Sequence, residues 1–591
     1  MNIYQYITTE ESSYQTMGVP IVDGMEWKMF EHVKLSTLYK NSKFSTGVDD
    51  GERPFKNIIR PILNVAYRSE GFDVKDIYAY VNDPDNYYKS FLVRKFHEKW
   101  ARANDIDTFI DELVESYVDY GGALVKNVDD IKPEVVPFQR LAFCDQTDIL
   151  TGTICEKHQY SVDQLLEFKG KWDDDAIDRA ILSAKEEKGG NQSSKLKSKT
   201  PGKYIEVYEL HGMFPEDWLD EDGDEEKYTN QLHIVTYIEE EDNATNEKSG
   251  VTLFKGKEKK GIYKFLSRDE IYGRALGFGG IEELFEPQIW TNYNLIQQKE
   301  MLDVASIMML QTADSSFANK NKITDMEKGE VAIHKQDMPL TQVNVQPINM
   351  VAFEKAAIAW EAQARTTGSA NDAQLGVSPT SGTPFALQEL VTSTGQGIHE
   401  YRRGKIATFV GEVYRDWILP HLTKEINKGD KWLEDLDLEE MQFIAESVST
   451  KKANEKVVNM VIKYFDKNGK APTNEEIEMF KEVTKDNFLK SGNKKFIELV
   501  ENELKKIPID VSVNVAGKQK DLGKVASGLT NIFRQVFAAP EVLQDPGMSK
   551  LFNEIIESAG FSPVSFQGIS NRPVQQPAQQ PVIEQTNQLT K

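Results

Sequence analysis

The sequence predicts a mixed α+β protein that is mostly helical. Three observations predict it. Long segments, among them 105–120 and 384–419, carry apolar residues at a spacing near 3.6. Alternating, β-branched runs fall in the stretch from about 123 to 254, in a small insertion at 323–345 and in one late run, Ile509–Val515. Hydrophobic residues make up 39% of the 591, enough for several cores, yet no stretch approaches the roughly 20 apolar residues of a membrane-spanning helix. No membrane is therefore expected as a partner. The opening MNIYQYITTEESSY lacks the basic and apolar regions of a signal peptide. Two cysteines cannot form a disulfide framework, which fits folding in a reducing cytoplasm.

Taken in order, the first 130 residues read as helical. Residues 54–67 are apolar-rich and interrupted by Pro61, and 85–100 follow as a second helix. In 105–120, Phe109, Ile110, Leu113, Val114 and Tyr117 share a face, and Gly121-Gly122 ends the helix. ALVKNV, EVVPFQRLAF and ILTGTICEKHQY read as strands, then 161–168 and 175–188 as amphipathic helices. KYIEVYELHGMF and QLHIVTYIEE alternate as strands, and a short strand is expected at VTLF. Between these lie polar or charged excursions at 189–202, 216–226 and 239–260.

The centre changes character. Residues 281–311 form one helical pattern with Pro287 near its start, followed by a small β-rich insertion at 323–345 and a returning helix at 350–365. A Gly/Ser/Thr stretch, 366–383, precedes a long helix from Pro384 to Leu419, with Thr383 as hydroxyl N-cap and Pro384 at its first position. Pro420 marks a break there, after which the helical pattern can resume to Ile426. The last third holds helices at 454–464, 474–485, 494–506, 521–537 and 549–560, with the single strand at 509–515. From about 567 the chain is Gln- and Pro-rich without aromatics and reads as disordered.

Catalytic and metal patterns fail one by one. None of the eight histidines sits in HxxxH or HExxH. Cys144, Cys155 and His158 have C-x10-C-x2-H spacing with no fourth ligand, so core or surface thiols flanking a hairpin are the better reading. In the acidic run 216–226, setting Gly223 at the sixth place of a calcium loop puts Trp218 at the first, where Asp is required. GRALGFGG (273–280) matches neither GxxxxGK[ST] nor GxGxxG, and its glycines read as a tight turn before Ile281. No enzyme is expected, and no cofactor.

The formal charge is −24, from 70 Lys and Arg against 94 Asp and Glu. This argues against a free-standing nucleic-acid grip, which needs a basic face. It is compatible with a passage that lets DNA slide, but taken alone it favours plain solubility.

The order of parts is the strongest signal: two helices carrying a small domain between them, an unstructured stretch of about 18 residues, then a very long helix. In this arrangement YGRALGFGGIEELFEPQ (272–288) is similar to the segment entering the first stem helix of the portal proteins, or head-to-tail connectors, of tailed double-stranded DNA bacteriophages. TGSANDAQLGVSPTSGTPFALQELVTSTGQGIHEYRRGKIATFVGEVY (367–414) resembles their tunnel-loop and long-helix segment, through its S-G-T-P start and its R-R-x-K-I-x-x-F continuation. IDVSVNVAGKQKDLGKVASGLTNIFRQV (509–536) and LQDPGMSKLFNEIIESAGFSPVSF (543–566) resemble portals of short-tailed, crAss-like phages more weakly.

The resemblance implies a portal fold with wing, stem, clip and helical crown, assembling as a ring of twelve around a central DNA channel. It would divide the chain into a wing (1–280), first stem helix (281–312), clip (313–349), second stem helix (350–366), tunnel loop (367–383), long wing helix (384–430), crown (431–566) and a disordered tail (567–591). Implied partners are double-stranded DNA, the major capsid protein, the terminase during packaging, and neck, adaptor and tail proteins afterwards. The implied location is the portal vertex of the virion, after assembly in the host cytoplasm. The tunnel loop would present Gly368, Ser369, Asn371, Asp372 and Gln374 to DNA, its glycines supplying mobility. The clip would offer Lys320, Lys322 and Lys335 to the motor or neck. No Lys or Arg lies between Thr366 and Thr383, which favours a sliding contact over a clamp. The alternatives are another neck or tail structural protein, or an acidic cytoplasmic enzyme with an unrecognised site.

Overall fold

A computed structural model describes residues 3–44, 53–81, 87–128, 132–186, 204–220, 223–238, 249–306, 309–317, 332–343, 350–370, 397–428, 453–466, 472–489 and 509–513, with the single positions Leu375, Ser449 and Arg534. It is mixed α+β and mostly helical, as the sequence predicts. In chain order, α1 (Ile3–Thr16) leads to a hairpin of β1 (Val19–Val22) and β2 (Met25–Trp27), then α2 (Met29–Lys40), α3 (Ile59–Glu70), β3 (Ile77–Val81), α4 (Tyr87–Ala103) and α5 (Ile106–Tyr120). Next come β4 (Gly122–Val128), β5 (Lys132–Val136), β6 (Leu141–Phe143), β7 (Ile154–Ser161), α6 (Val162–Glu167), α7 (Asp174–Glu186), β8 (Tyr204–Pro215), β9 (Tyr228–Ile238), β10 (Ser249–Lys257) and β11 (Tyr263–Ser267). The central part holds α8 (Gly280–Glu283), α9 (Phe285–Ser306), β12 (Met309–Gln311), β13 (Thr341–Val343), α10 (Met350–Thr367) and α11 (Gly397–Val413). A wide turn at Tyr414–Ile418, α12 (Leu419–Lys428), helices over 453–466 and Asn474–Leu489, and β14 (Ile509–Val513) follow.

The chain divides into two compact units: residues 1–72 with 105–413, and residues 73–104 with 414–591. The first is built on an antiparallel sheet of order β10-β9-β8-β7-β6 and a second sheet of order β11-β4-β5. The hairpin anticipated around the two cysteines is β6–β7, with Phe143 opposite Cys155. Strand β10 is longer than VTLF, because it pairs with β9 from Ser249 to Lys257. Ile7 of α1 and Met29 of α2 pack in one core with Leu210 and Val235 of the five-stranded sheet. Leu165, Ile177 and Ile181 of α6 and α7 form a second core with Val207 and Leu253. Ser161 starts α6 with a reciprocal cap: its hydroxyl accepts from the Gln164 N–H while Gln164 bonds back to the Ser161 N–H.

Pro61 does not interrupt a helix. It lies in the first turn of α3, where no N–H is required. Gly121 ends α5 in the left-handed region, at φ 81°, and a Cβ there would stand 2.3 Å from the Gly277 carbonyl oxygen. This position admits only glycine, for both conformation and space.

In the second unit, β14 pairs antiparallel with β3, Ile509 opposite Val81. The strand read at 509–515 is thus real, while β3 escaped the sequence because its five residues sit among helices. Pro420 does not break its helix. The wide turn Tyr414–Ile418 precedes it and supplies room around the carbonyl that the ring would otherwise strike, and α12 continues to Lys428. The expected helices at 494–506, 521–537 and 549–560, and the tail, lie outside the described residues.

Candidate functional site

The central helices form an antiparallel pair. α9 has 22 residues, about 33 Å at 1.5 Å per residue, and α10 returns beside it. Trp290 near the start of α9 stacks on Trp360 near the end of α10, with centroids 6.1 Å apart. At the other end the chain forms a two-stranded ladder, β12 with β13, Met309 opposite Val343. The order of elements follows the reading but its bounds do not: β12 falls at Met309–Gln311, inside the stretch read as helix, and among the described residues of 323–345 only Thr341–Val343 is strand. The pattern 281–311 is subdivided, since α8 ends at Glu283 and α9 starts at Phe285, with Pro287 in its first turn.

The base of the pair is tied to the segment before α3. Gln288 bridges it, accepting from the Ile58 N–H at 2.8 Å and donating to the Lys56 carbonyl at 2.7 Å. Asn292 accepts from the Lys56 N–H, and the Lys56 ammonium pairs with Glu361 of α10 at 2.6 Å. Lys56, followed by Arg365, pulls the Glu361 carboxyl below the usual range.

GRALGFGG forms the root. The Arg274 guanidinium forks onto Glu282, bonds the Leu276 and Gly277 carbonyls, and lies over the Trp27 ring. Cβ atoms at Gly277 and Gly279 would fall within 3 Å of the Gly121 backbone, so these glycines serve a crossing of two main chains and no phosphate cradle.

Behind the root lies a buried charge cluster. Glu70 and Arg268 pair at 3.0 Å, and the His399 Nδ1 is 2.9 Å from Glu70. Arg402 reaches Asp269 at 2.6 Å and Glu283 at 3.0 Å. Burial raises the Glu283 carboxyl, against the pull of Arg268 and Arg402. Arg403 donates to the Ser69 carbonyl and Lys405 to that of Arg268. The R-R-x-K pattern of the long helix therefore fastens α11 to its own unit.

The residues predicted for the loop and clip are placed only in part. Gly368 and Ser369 are not in a free loop: they cap α10, the Gly368 N–H bonding the Ala364 carbonyl and the Ser369 N–H that of Thr366. A Cβ on Gly368 would lie 2.3 Å from Ile62 Cγ2, so its glycine serves close packing on α3 and the mobility expected of it is corrected. Ser369 takes the left-handed conformation, φ 52°. Asn371, Asp372 and Gln374 lie outside the described residues, as do Lys320 and Lys322 and the start of the long helix at 384–396. Lys335 is placed: its N–H bonds Asp314 Oδ2 at 3.1 Å and its ammonium lies 3.4 Å from Oδ1. Bonds from Ser316 and Lys335 hold Asp314 well below the usual carboxylate range.

The two cysteines are buried thiols. Burial pushes Cys144 up to about 12, and Cys155 is raised as well. Cys155 and His158 fall on opposite faces of β7, so the Cys144, Cys155 and His158 set does not assemble. Sequence reasoning missed Gln288, Asn292 and Glu70. Glu70 carried a signal, a charge on the otherwise apolar buried face of α3, whereas Gln288 and Asn292 share a buried face with Thr291 and Asn294.

No helix is long and apolar enough to cross a membrane among the described residues. No family model matches the sequence, and no curated protein matches it. Among solved structures the chain is similar to one described as "Virion of native gene transfer agent (GTA) particle", at 9% identity and a TM-score of 0.27, over 72% of this chain and 86% of that one.

Proposed function

We propose that this protein is a phage portal: a structural, non-catalytic ring that conducts double-stranded DNA during packaging and ejection. The observation that carries the reading is the antiparallel pair α9 and α10 with a small β ladder at its far end. Such a pair buries little of its own surface. Ile289, Trp290 and Tyr293 on α9, and Val351 and Ile358 on α10, are each more than a third exposed. An apolar stripe of this size on a rigid stalk fits burial against neighbouring copies. Head-to-tail contacts that close generate a ring with a hole. In this reading the clip meets the terminase and later the neck, and the first unit meets the capsid.

The test is native mass determination with negative-stain imaging of the pure protein. Twelve copies of 67.2 kDa give a closed ring of about 0.8 MDa with a central hole. A stable monomer or two-fold dimer at micromolar concentration, or clear ATPase, nuclease or protease turnover by the pure chain, would overturn the reading.

A further inference from the structure

Side chains of the two sheets in the first unit meet in a polar cluster remote in sequence from the stalk. Glu156 on β7 and Glu209 on β8 are direct cross-strand partners. Like charges so placed repel, and both carboxylates are largely withdrawn from water. One oxygen of each is held from β4 and β11. The Lys126 Nζ lies 2.7 Å from Glu209 Oε1 and 3.2 Å from Glu156 Oε1, and the Tyr263 hydroxyl donates to Glu156 Oε1.

The other oxygen of each carboxylate is turned toward one imidazole. His158 Nε2 lies 2.9 Å from Glu209 Oε2 and 3.4 Å from Glu156 Oε2. Ligand atoms of Glu156, His158 and Glu209 all lie within 4.8 Å of one another. Donors sharing a tetrahedral cation at about 2.0–2.2 Å stand roughly 3.3 Å apart, close to the two measured separations. A second histidine flanks the group. His211 Nδ1 bonds Glu258 at 2.8 Å, and its buried Nε2 lies 3.1 Å from Glu209 Oε1 without an aligned hydrogen bond.

We propose that Glu156, His158 and Glu209 form a binding site for one divalent first-row cation, held through Glu156 Oε2, Glu209 Oε2 and His158 Nε2 with water completing the coordination. Lys126 and Tyr263 keep the remaining oxygens in place. Mixed imidazole and carboxylate donors suit Zn²⁺ and its neighbours better than Mg²⁺. The proposal does not depend on the portal reading.

The test is calorimetric titration of chelator-stripped, full-length protein with ZnCl₂. One saturable equivalent per chain is expected. His158→Gln and Glu209→Gln should each weaken binding by at least about tenfold, whereas His334→Gln, an exposed site elsewhere, should leave it unchanged. Should either variant fail to fold, the visible ligand-field spectrum of Co²⁺-loaded wild-type protein decides, with nitrogen–oxygen coordination expected. No saturable Zn²⁺ binding by wild type up to about 100 µM, full-strength binding in both folded variants, or Co²⁺ without such a spectrum would overturn the site.

Discussion

Single residues do the fastening. Arg402 places its guanidinium between Asp269 and Glu283 within a cluster that also holds Glu70, Arg268 and His399. In the sequence it was simply one of three cations in the middle of a long helix. What a cation faces depends on residues more than a hundred positions away, and no local pattern carries that. His97 shows the same dependence in the second unit, where it lies 3.0 Å from the Tyr414 hydroxyl. Burial pushes its imidazole down to about 4, against about 6.5 in the unfolded chain. Folding therefore favours the neutral ring. The contribution is fully present above about pH 6.5 and is lost as pH falls toward 4, where the unfolded chain binds the proton first; the full loss is about 3 kcal/mol. Apparent Tm followed from pH 7 to 4.5 should fall more steeply for wild type than for His97→Phe. Parallel curves would show that His97 is not a source of the acid sensitivity.

At the scale of elements, periodicity and the glycine stop of α5 were legible. The Asp105–Gly121 boundaries of α5, the hairpin around the cysteines and the strand at 509 all follow from local chemistry. The β1–β2 hairpin and β3 were not, being three to five residues long among helical stretches. Of the candidate site, the order helix, β element, helix was legible from spacing, whereas the ties at its base were not. Gly368 marks the limit, because a glycine can mean freedom or close approach and the sequence shows only the missing side chain. Here α10 ends against Ile62 of α3, a residue almost fully buried. Gly368→Ala should cost about 1–3 kcal/mol through overpacking. Ile62→Ala alone should also destabilise, through its cavity. Combined, the two should cost less than their sum, because the new methyl occupies the space vacated. Urea unfolding of the four proteins measures the coupling, and strict additivity would mean that α10 does not meet α3 there.

For the molecule as a whole, charge decides what kind of contact with DNA is available. Affinity for a duplex comes mainly from Lys and Arg displacing counterions at phosphates, and its salt dependence counts those contacts. This chain has 24 more acidic than basic side chains, and 366–383 contains no Lys or Arg. Several of its cations are already committed internally: Lys126, Arg268, Arg274, Arg402 and Lys405 all bond carboxylates or carbonyls of their own unit. If the chain lines a passage, as proposed above, such a composition would repel the duplex and offer little to hold it, the property a conduit needs and a clamp lacks. Pure protein at about 10 µM should therefore fail to retard a 30-base-pair duplex at about 0.15 M salt, with dissociation constants at or above the roughly 10⁻⁴ M end of non-specific binding. Lowering the salt should strengthen binding only slightly, since few counterions are released per contact. Micromolar affinity with a steep salt slope would require a basic surface that the composition does not provide, and the sliding contact would have to give way to a gripping one.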